Sequence, residues 1–306
     1  MGMTIREAVE LHLDDKVRLG RITPRTLAVQ RRMFDVLLQH FDGERDVAEV
    51  TRGEARAFLA AFSEGRRPTY VNTVLSAASA LFGWAEREAE ARAGNPFARL
   101  RMVDRERPSE RRHPFTDDDL RAIWPTVREQ RDAGRRWVPE LMLRLGMRPE
   151  EAAQLHTRDL GEERGLPYLH VRAGEGQRLK NSASERKLPL LDGLQPFLSW
   201  AMKQPDGFLF GAAPGCLDRG RCTRISNWYT ETMRRHGIED PKKVLYSLRH
   251  TVATRLALAE VPHERIGDLL GHERKTTAGR VYVSVCPAWQ HVETLRKLRL
   301  PEELAC

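Results

Sequence analysis

The sequence lacks the features by which membrane proteins, secreted proteins and disulfide scaffolds are recognised. No segment approaches the roughly 18 consecutive apolar residues of a membrane span, and the first residues do not form a charged region that leads into an apolar run. The cysteines show no Cys-x-x-Cys spacing and are too sparse for a framework; they are Cys216, Cys222, Cys286 and Cys306. These absences predict a cytoplasmic protein with reduced thiols and disfavour a zinc ribbon.

The common nucleotide, dinucleotide, zincin and hydrolase motifs are also missing. The chain contains no G-x-x-x-x-G-K-[ST], G-x-G-x-x-G, H-E-x-x-H or G-x-S-x-G. Asp117-Asp118-Asp119 offers carboxylates for a metal, but the run follows Thr116 in a capping pattern, and acidic residues in a first helical turn are favoured by the helix dipole. We therefore expect neither a metal nor a cofactor.

The sequence is rich in charge, with a small positive surplus. Its 306 residues include 51 Lys and Arg against 43 Asp and Glu, which gives a net charge of +8 and a pI near 9.6. Such a surplus alone indicates nucleic-acid binding only weakly. With 41% hydrophobic residues the chain can bury a core, and at about 100–200 residues per domain two domains are expected.

Residues 1–98 carry four helix starts and amphipathic spacing, which predict a helical domain. The starts are the capping boxes Thr4-x-x-Glu7 and Thr51-x-x-Glu54 and the pairs Thr23-Pro24 and Pro68-Thr69. The apolar positions 34, 37, 38 and 41 follow the helical period and indicate a core face. Short links between such helices suit a small orthogonal or bundled domain.

The segment 99–113 has no core face and is rich in arginine, with six arginines against three acidic residues. We interpret it as an interdomain linker, either solvated or lying against phosphates as a basic strap in which Arg111 and Arg112 make contacts. A second phosphate-binding cluster is expected at the start of the fourth helix, where a solvated turn is an equally good explanation. Its residues are Arg66, Arg67, Thr69 and Asn72.

Residues 114–306 form the second predicted domain, whose pattern is mixed. Thr116-x-x-Asp119 opens its first helix. The other predicted elements are helices at Trp137–Leu145, Leu248–Leu258, Pro262–Leu270 and Trp289–Leu298, and strands at Pro167–Val171 and Arg186–Leu191. The fold class expected for the whole chain is therefore mainly α (α+β).

Residues suited to phosphate chemistry occur at five places in this second domain. They are Arg148 after Gly146-Met147, Lys180 in the loop between the strands, Arg249-His250 after Tyr246, His272 after Gly271, and Tyr282. Each is ordinary by itself, since surface arginines are common and basic side chains favour the last turn of a helix. Only their joint order favours a functional interpretation.

In this order the residues resemble the motifs of the tyrosine recombinase (phage integrase) family. The similar segments are Gly146-Met147-Arg148-Pro149-Glu150-Glu151, Leu179-Lys180-Asn181 with Arg186-Lys187-Leu188-Pro189-Leu190, Ser247-Leu248-Arg249-His250-Thr251, Leu269-Leu270-Gly271-His272 and Arg280-Val281-Tyr282. The first domain resembles the family's core-binding domain. The resemblance therefore implies a SAM-like four-helix DNA-binding domain, followed by a mixed α/β catalytic domain with a small antiparallel sheet.

The resemblance implies a site-specific DNA recombinase or integrase that forms a 3′-phosphotyrosine intermediate without metal or ATP. The implied catalytic residues are Arg148, Lys180, Tyr246, Arg249, His272 and Tyr282, supported by Glu151 and His250. Tyr282 would be the nucleophile, and Lys180 would protonate the leaving 5′ oxygen. The two arginines would bind the non-bridging oxygens, since a planar guanidinium matches the geometry of a phosphate.

Two features depart from the family's pattern. Tyr246 stands where the family usually has histidine, and Tyr282 follows His272 by ten residues, about one more than expected. A phenol can donate a hydrogen bond to a phosphate oxygen but does not exchange protons near neutral pH as an imidazole does. We expect Tyr246 to keep a positioning role and the activity to be slow.

Two other functions remain open from the sequence. The helix pair Leu248–Leu258 and Pro262–Leu270 is similar to a helix-turn-helix, so the protein could be a DNA-binding regulator that does not cleave. A topoisomerase-like enzyme, which nicks and reseals DNA as a monomer, is the other alternative. A regulator would have no use for Lys180 or Tyr282, and only a topoisomerase would relax supercoils without paired sites.

The partners implied by the resemblance are double-stranded DNA with paired recombination sites, three further copies of the chain in a synaptic tetramer, and accessory DNA-bending or directionality proteins. A nucleoid-associated location follows. In the tail, Trp289, Val292, Leu295 and Leu298 fall on one helical face. We expect this face to dock on a neighbouring protomer, with packing on its own domain as the alternative.

Overall fold

The structure is a computed structural model that describes residues 2–88, 94–107, 110–211, 219–273 and 285–305. The chain divides into two compact units, Met1–Arg107 and Pro108–Cys306. The division falls inside the segment 99–113 that was interpreted as a linker. No helix in the described ranges is long and apolar enough to cross a membrane.

In its described residues the first unit contains four α-helices and one short 3-10 helix, Val47–Glu49. The α-helices are α1 (Ile5–Arg18), α2 (Pro24–His40), α3 (Arg52–Ser63) and α4 (Pro68–Glu88). The predicted capping boxes are present at Thr4 and Thr51, whose side chains accept hydrogen bonds from the backbone of the third helical residue. The predicted apolar faces meet in one core, in which Phe34, Leu37 and Leu81 are almost fully buried.

The start of the arginine-rich segment packs on this first unit. Leu100 and Met102 lie against its core. The side-chain amide of Asn72 donates to the carbonyl of Met102 at 2.9 Å and accepts from its N–H at 2.8 Å. The alternation of Leu100 and Met102 with arginines is the signal of this packing, and it is too short to stand out from the surrounding charge.

The second unit contains nine α-helices in its described residues and one sheet. The helices are α5 (Asp117–Arg128), α6 (Ala133–Leu145), α7 (Pro149–Ala153), α8 (Gln195–Ala201), α9 (Arg219–Arg235), α10 (Ser247–Leu258), α11 (His263–Leu270), α12 (Val292–Arg296) and α13 (Glu302–Ala305). Nearly every residue of α6 is buried, and this helix packs against α10 in the core. The helix that ends before Gly146 and the helix that carries Arg249 thus lie side by side in this core.

The sheet has three antiparallel strands in the order β1-β2-β3, with β1 at Leu160–Glu163, β2 at Leu166–Val171 and β3 at Arg186–Pro189. Leu169 in the central strand pairs with Leu160 on one side and Leu188 on the other. The sequence predicted the second and third strands. It gave no sign of β1, whose residues Leu-Gly-Glu-Glu lack the β-branched and aromatic side chains typical of strands.

The tail packs on its own unit. A 3-10 helix at Ala288–His291 leads into α12, where Leu295 is buried in the core and Leu298 lies against it. Leu304 in α13 is 2% exposed, and its carbonyl accepts hydrogen bonds from Arg128 and Arg144. In this single chain Leu295 and Leu298 therefore make the contact we gave as the alternative, and docking on a neighbouring protomer stays a prediction.

Candidate active site

Two helices end next to each other at glycines with left-handed backbone. Gly146 (φ +65°) follows α6, and Gly271 (φ +64°) follows α11. A Cβ on Gly146 would lie 2.4 Å from Leu270, and one on Gly271 would lie 3.0 Å from the backbone of Ser184, so both positions require glycine. The last carbonyls of each helix have no partner within the helix, and they carry the negative end of its dipole.

Arg249 is held by carbonyls of both helix ends. It lies on α10, is 3% exposed, and donates from Nη1 to Gly146 O and from Nη2 to Leu270 O, each at 2.6 Å. These bonds use two of the five N–H groups of a guanidinium. Among the described residues the others make no hydrogen bond to protein, which leaves donors for a ligand.

Arg148 lies at the N-terminal end of α7 and contacts Glu151 one turn later. Its Nη1 donates to Glu151 Oε1 at 2.5 Å and to Ser184 Oγ at 3.1 Å, and its Nη2 donates to Gly271 O at 3.1 Å. Glu151 Oε2 accepts from the backbone N–H of Arg148 at 2.9 Å. The sequence grouped these two residues in one motif, and the structure pairs them directly.

A third arginine, Arg186, completes the cluster and was not predicted as a site residue. It is 1% exposed and donates to Glu151 Oε2 at 2.8 Å, to Leu269 O at 2.7 Å and to Ser184 O at 2.7 Å. In the sequence, only the alternation of buried and exposed positions along the predicted strand could have indicated its place. Arg186 shares a face with buried Leu188, so the period of β3 places a charged side chain in the core.

The cluster keeps a positive charge because its carboxylate and arginines stay ionised. Burial raises the pKa of Glu151, but the guanidiniums of Arg186 and Arg148 outweigh that effect and lower it to about 2. Burial, followed by the two neighbouring arginines, lowers the pKa of Arg249 to about 10, so this residue remains a cation at neutral pH. Three guanidiniums and one carboxylate leave a net charge of +2.

His272 follows Gly271 directly and lies exposed beside the cluster. Its pKa is lowered to about 4. The largest cause is burial of the ring, and the positive charges of Arg249 and Arg148 follow. The imidazole is therefore neutral at pH 7. A neutral ring offers one N–H donor and one acceptor nitrogen.

Tyr246 lies directly before α10 and His250 lies in its first turn, but the two face different surroundings. Tyr246 is 42% exposed. Its phenol lies close enough to Arg249 for the ionised phenol to raise the pKa of that arginine, which places Tyr246 near the cluster. The pKa of His250 is lowered by burial and then by His113. His250 thus lies toward His113, which pairs with Asp240 at 2.6 Å, rather than among the arginines.

Lys180 is exposed in the long loop between β2 and β3. The next residue, Asn181, accepts from Ser184 Oγ at 2.6 Å, and Ser184 in turn accepts from Arg148. The loop that carries Lys180 is thereby joined to the arginine cluster. Tyr282, predicted as the nucleophile, lies outside the described residues together with Arg280 and Val281.

The predicted DNA-binding residues of the first unit lie at the start of α4. Arg66, Arg67 and Thr69 are exposed, and the guanidinium of Arg66 lies 4.5 Å from the ring centroid of Phe62. Asn72 instead uses its amide on Met102. In the second unit Arg111 is half-buried, and exposed Arg112 donates to the carbonyl of Arg111 at 3.1 Å.

The acidic run at the start of α5 is explained by ion pairs. Asp117 pairs with Arg255 at 2.5 Å, Asp118 with Arg121 at 2.9 Å and Asp119 with Lys243 at 2.6 Å. In the part of the chain that the structure describes, no group of three or more His, Cys, Asp or Glu is arranged to hold a metal. Cys222 and Cys286 form no disulfide within the described residues, and the thiol of Cys286 donates to Gln290 Oε1 at 3.0 Å.

The sequence profile of the Phage integrase family matches residues 114–288, which include the whole cluster and the position of Tyr282. The match covers more than half of the chain, so this protein belongs to the phage integrase family, the tyrosine recombinases. A sequence comparison with curated proteins gives no significant match.

Solved structures of integrases share the fold over both units. A lambda integrase dimer bound to a COC′ core site is similar over 93% of this chain and 99% of that chain, with 15% identity and a TM-score of 0.69. A lambda integrase tetramer bound to a Holliday junction covers 90% and 79%, with 17% identity and a TM-score of 0.66. The Tn1549 transposon integrase with transposon right end DNA covers 93% and 96%, with 18% identity and a TM-score of 0.65.

Proposed function

We propose that this protein is a site-specific DNA recombinase that cleaves and rejoins strands through a 3′-phosphotyrosine on Tyr282. The observation that carries the proposal is the cluster of Arg148, Arg186 and Arg249 around one carboxylate, built at the ends of α6 and α11. Its net positive charge and its remaining guanidinium donors suit a phosphodiester whose charge grows in the transition state. Membership of the phage integrase family supports the same function.

In the proposed reaction the Tyr282 oxygen loses its proton to solvent and bonds to phosphorus as the P–O5′ bond breaks. The phosphate then joins the tyrosine to the 3′ oxygen of the DNA. Arg148 and Arg249 bind the two non-bridging oxygens, and Lys180 gives its proton to the departing 5′ oxygen. A 5′ hydroxyl then attacks the phosphotyrosine, which restores the free phenol. The bond energy is kept in the intermediate, so religation needs neither ATP nor a metal.

His272 and Tyr246 complete the proposed site. Neutral His272 donates one N–H to the scissile phosphate. The exposed phenol of Tyr246 donates a hydrogen bond there in place of the imidazole that the family usually has. Because a phenol does not shuttle protons near pH 7, we expect cleavage to be slower than in a Tyr246→His variant.

We propose double-stranded DNA as the partner of both units. In the first unit, Arg66, Arg67 and Thr69 contact phosphates, and in the second Arg112 does so. Lambda integrase, which shares this fold, is found as a dimer on a core site and as a tetramer on a Holliday junction. We propose the same assembly here, on paired sites and with accessory proteins that set the direction of recombination.

Capture of covalent adducts tests this function. Wild-type protein, Tyr282→Phe and Tyr168→Phe are incubated with nicked fragments of the source genome, and the trapped DNA is sequenced. Adducts from the wild type and Tyr168→Phe that are missing with Tyr282→Phe identify both the nucleophile and the site. If no chain forms adducts while specific binding persists, the protein is the non-cleaving regulator, an alternative that the tyrosine at position 246 favours.

A further inference from the structure

The side chain of Gln154 holds the backbone of the loop that carries Lys180. Gln154 directly follows α7 and is 9% exposed. Its Nε2 donates to Arg178 O at 2.8 Å, and its Oε1 accepts from Arg178 N–H at 3.0 Å. An amide that pairs with both backbone groups of one residue makes the same contacts as a neighbouring strand. Arg178 lies two residues before Lys180.

A buried polar network supports this contact. The carbonyl of Gln154 accepts from Gln177 Nε2 at 3.1 Å, and the same amide donates to Asp159 Oδ2 at 2.5 Å. Asp159 is 1% exposed and pairs with Arg172 at 2.9 Å. Leu179, the residue between the clamped backbone and Lys180, packs on the core. The loop is therefore fixed up to the residue before the exposed ammonium group.

The other side of Lys180 is also tied to α7. Asn181 bonds to Ser184 through both its carbonyl and its side chain, and Ser184 accepts from Arg148. Arg148 precedes α7 and Gln154 follows it. The two residues that flank this one helix thus anchor the chain on both sides of Lys180, and a phosphate bound by Arg148 is placed in a fixed frame with the lysine.

We infer that Gln154 is a positioning residue for Lys180, which it holds in place to protonate the leaving oxygen. The inference rests on the proposed function. In the step concerned, the P–O5′ bond breaks, its electron pair goes to O5′, and the lysine proton is transferred to that oxygen. When sulfur replaces O5′, the P–S bond breaks to a thiolate, which is stable without a proton. A variant that is slow because it lacks proton donation should therefore recover its cleavage rate with sulfur, whereas a variant that binds the phosphate poorly should not.

The test compares duplexes that carry a 5′-bridging oxygen or sulfur at the site found by adduct capture. Gln154→Met keeps the volume of the side chain without its hydrogen bonds, and Gln154→Glu keeps the acceptor for Arg178 N–H. With oxygen we expect Gln154→Met to cleave ~10-fold or more slowly and Lys180→Ala ~100-fold or more slowly. With sulfur both should come within about threefold of the wild type, while Arg148→Lys stays slow on both duplexes. Gln154→Glu should lie between Gln154→Met and the wild type.

Two results would overturn the inference. One is an equal loss for Gln154→Met on oxygen and sulfur while Lys180→Ala is rescued by sulfur. The other comes from amide hydrogen exchange of the free protein, in which the peptide containing Arg178 should exchange ~10-fold faster in Gln154→Met. Unchanged exchange there shows that the amide does not hold the loop. Absence of cleavage by the wild type on both duplexes counts instead against the proposed function, and the exchange measurement still decides whether Gln154 anchors the loop.

Discussion

Glu151 is the carboxylate that allows the buried guanidinium of Arg186 to lie beside the partly buried one of Arg148. It is 4% exposed and bonds to both Arg148 and Arg186. Removing one partner from a buried ionic group leaves unpaired charge, which costs about 3–5 kcal/mol. We expect Glu151→Gln to lower the free energy of unfolding by about 3 kcal/mol in chemical denaturation. Glu150→Gln, an exposed change on the same helix, should alter it by less than about 0.5 kcal/mol, and equal effects would contradict the ion-pair role.

The effect of Glu151→Gln should also depend on pH. The pKa of this carboxyl is 4.5 in the unfolded chain and about 2 in the folded protein, because Arg186 and Arg148 outweigh the effect of burial. Between pH 2 and 4.5 the carboxyl of residue 151 is protonated in the unfolded chain and ionised in the folded protein. The stabilisation that Glu151 contributes is therefore complete above pH 4.5 and is lost as the pH falls toward 2. The difference in stability between wild type and Glu151→Gln should therefore be constant from pH 5 to 8 and shrink below pH 4.5.

At the scale of the element, Gly271 joins the end of α11 to the arginine cluster. An alanine there would keep a left-handed backbone and place its Cβ 2.9 Å from Arg186 Nη1 and 3.0 Å from Ser184 Cα. Gly237 has a similar positive φ of +75° with nothing within 4 Å. We expect Gly237→Ala to cost about 1 kcal/mol and Gly271→Ala about 2 kcal/mol or more. Thermal unfolding of both variants measures the difference, and equal losses would contradict the importance of the close approach.

The tail is a second element whose packing can be tested. Leu304 is 2% exposed within its own unit, whereas Leu258 is 79% exposed. Truncating a buried leucine to alanine costs about 2–5 kcal/mol, so Leu304→Ala should lower the unfolding temperature of the monomer while Leu258→Ala leaves it nearly unchanged. An unchanged unfolding temperature for Leu304→Ala in a monomeric sample would mean that the tail does not pack on its own unit in solution.

Helices could be predicted from the sequence because their starts carry local signals. Thr4, Thr51 and Thr116 each precede an acidic residue by three positions, and each forms a capping box. The strand β1 has no such signal, and its pairing with β2 depends on contacts across the chain. The sequence left two surfaces possible for the tail for a similar reason, since an apolar stripe does not specify which surface covers it.

The candidate site was predictable as a set of residues and not as an arrangement. Motif order pointed to Arg148, Arg249 and His272, which the structure brings to the ends of two helices. Arg249 donates to two backbone carbonyls and Arg148 to a third, and such acceptors leave no trace in the residue types of the sequence. Gln154 and Arg186 were missed because a glutamine or an arginine is ordinary unless its burial is known.

At the scale of the whole molecule, each of the two units has its own core, and the core of the first contains a buried histidine. His12 is 4% exposed, and neither of its ring nitrogens has a hydrogen-bond partner among the described residues. Burial, followed by Lys16, lowers the pKa of His12 from 6.5 to about 4. Between these values the unfolded chain carries a proton that the folded unit does not, so stability falls as the pH is lowered, by up to about 1.4 kcal/mol per pH unit.

His12→Leu should remove this acid sensitivity from the first unit. It should also stabilise that unit by about 1–3 kcal/mol at pH 7, because two buried polar atoms without partners are replaced by an apolar side chain. Calorimetry between pH 4 and 7 measures both effects, with exposed His40→Leu as the matched control. An unchanged dependence on pH in His12→Leu would show that another group causes the acid sensitivity.

The main-chain carbonyls of residues 146, 269, 270 and 271 hold the arginine cluster and give it an unusual tolerance to mutation. Every amino acid supplies a carbonyl, so a base change in the codon for Leu269 or Leu270 alters packing but leaves the acceptor in place. Only the two glycines are constrained by the backbone itself. The guanidiniums are also oriented before a ligand arrives, so little reorganisation remains when a phosphate binds. The chemistry of such a site can persist while the surrounding side chains drift.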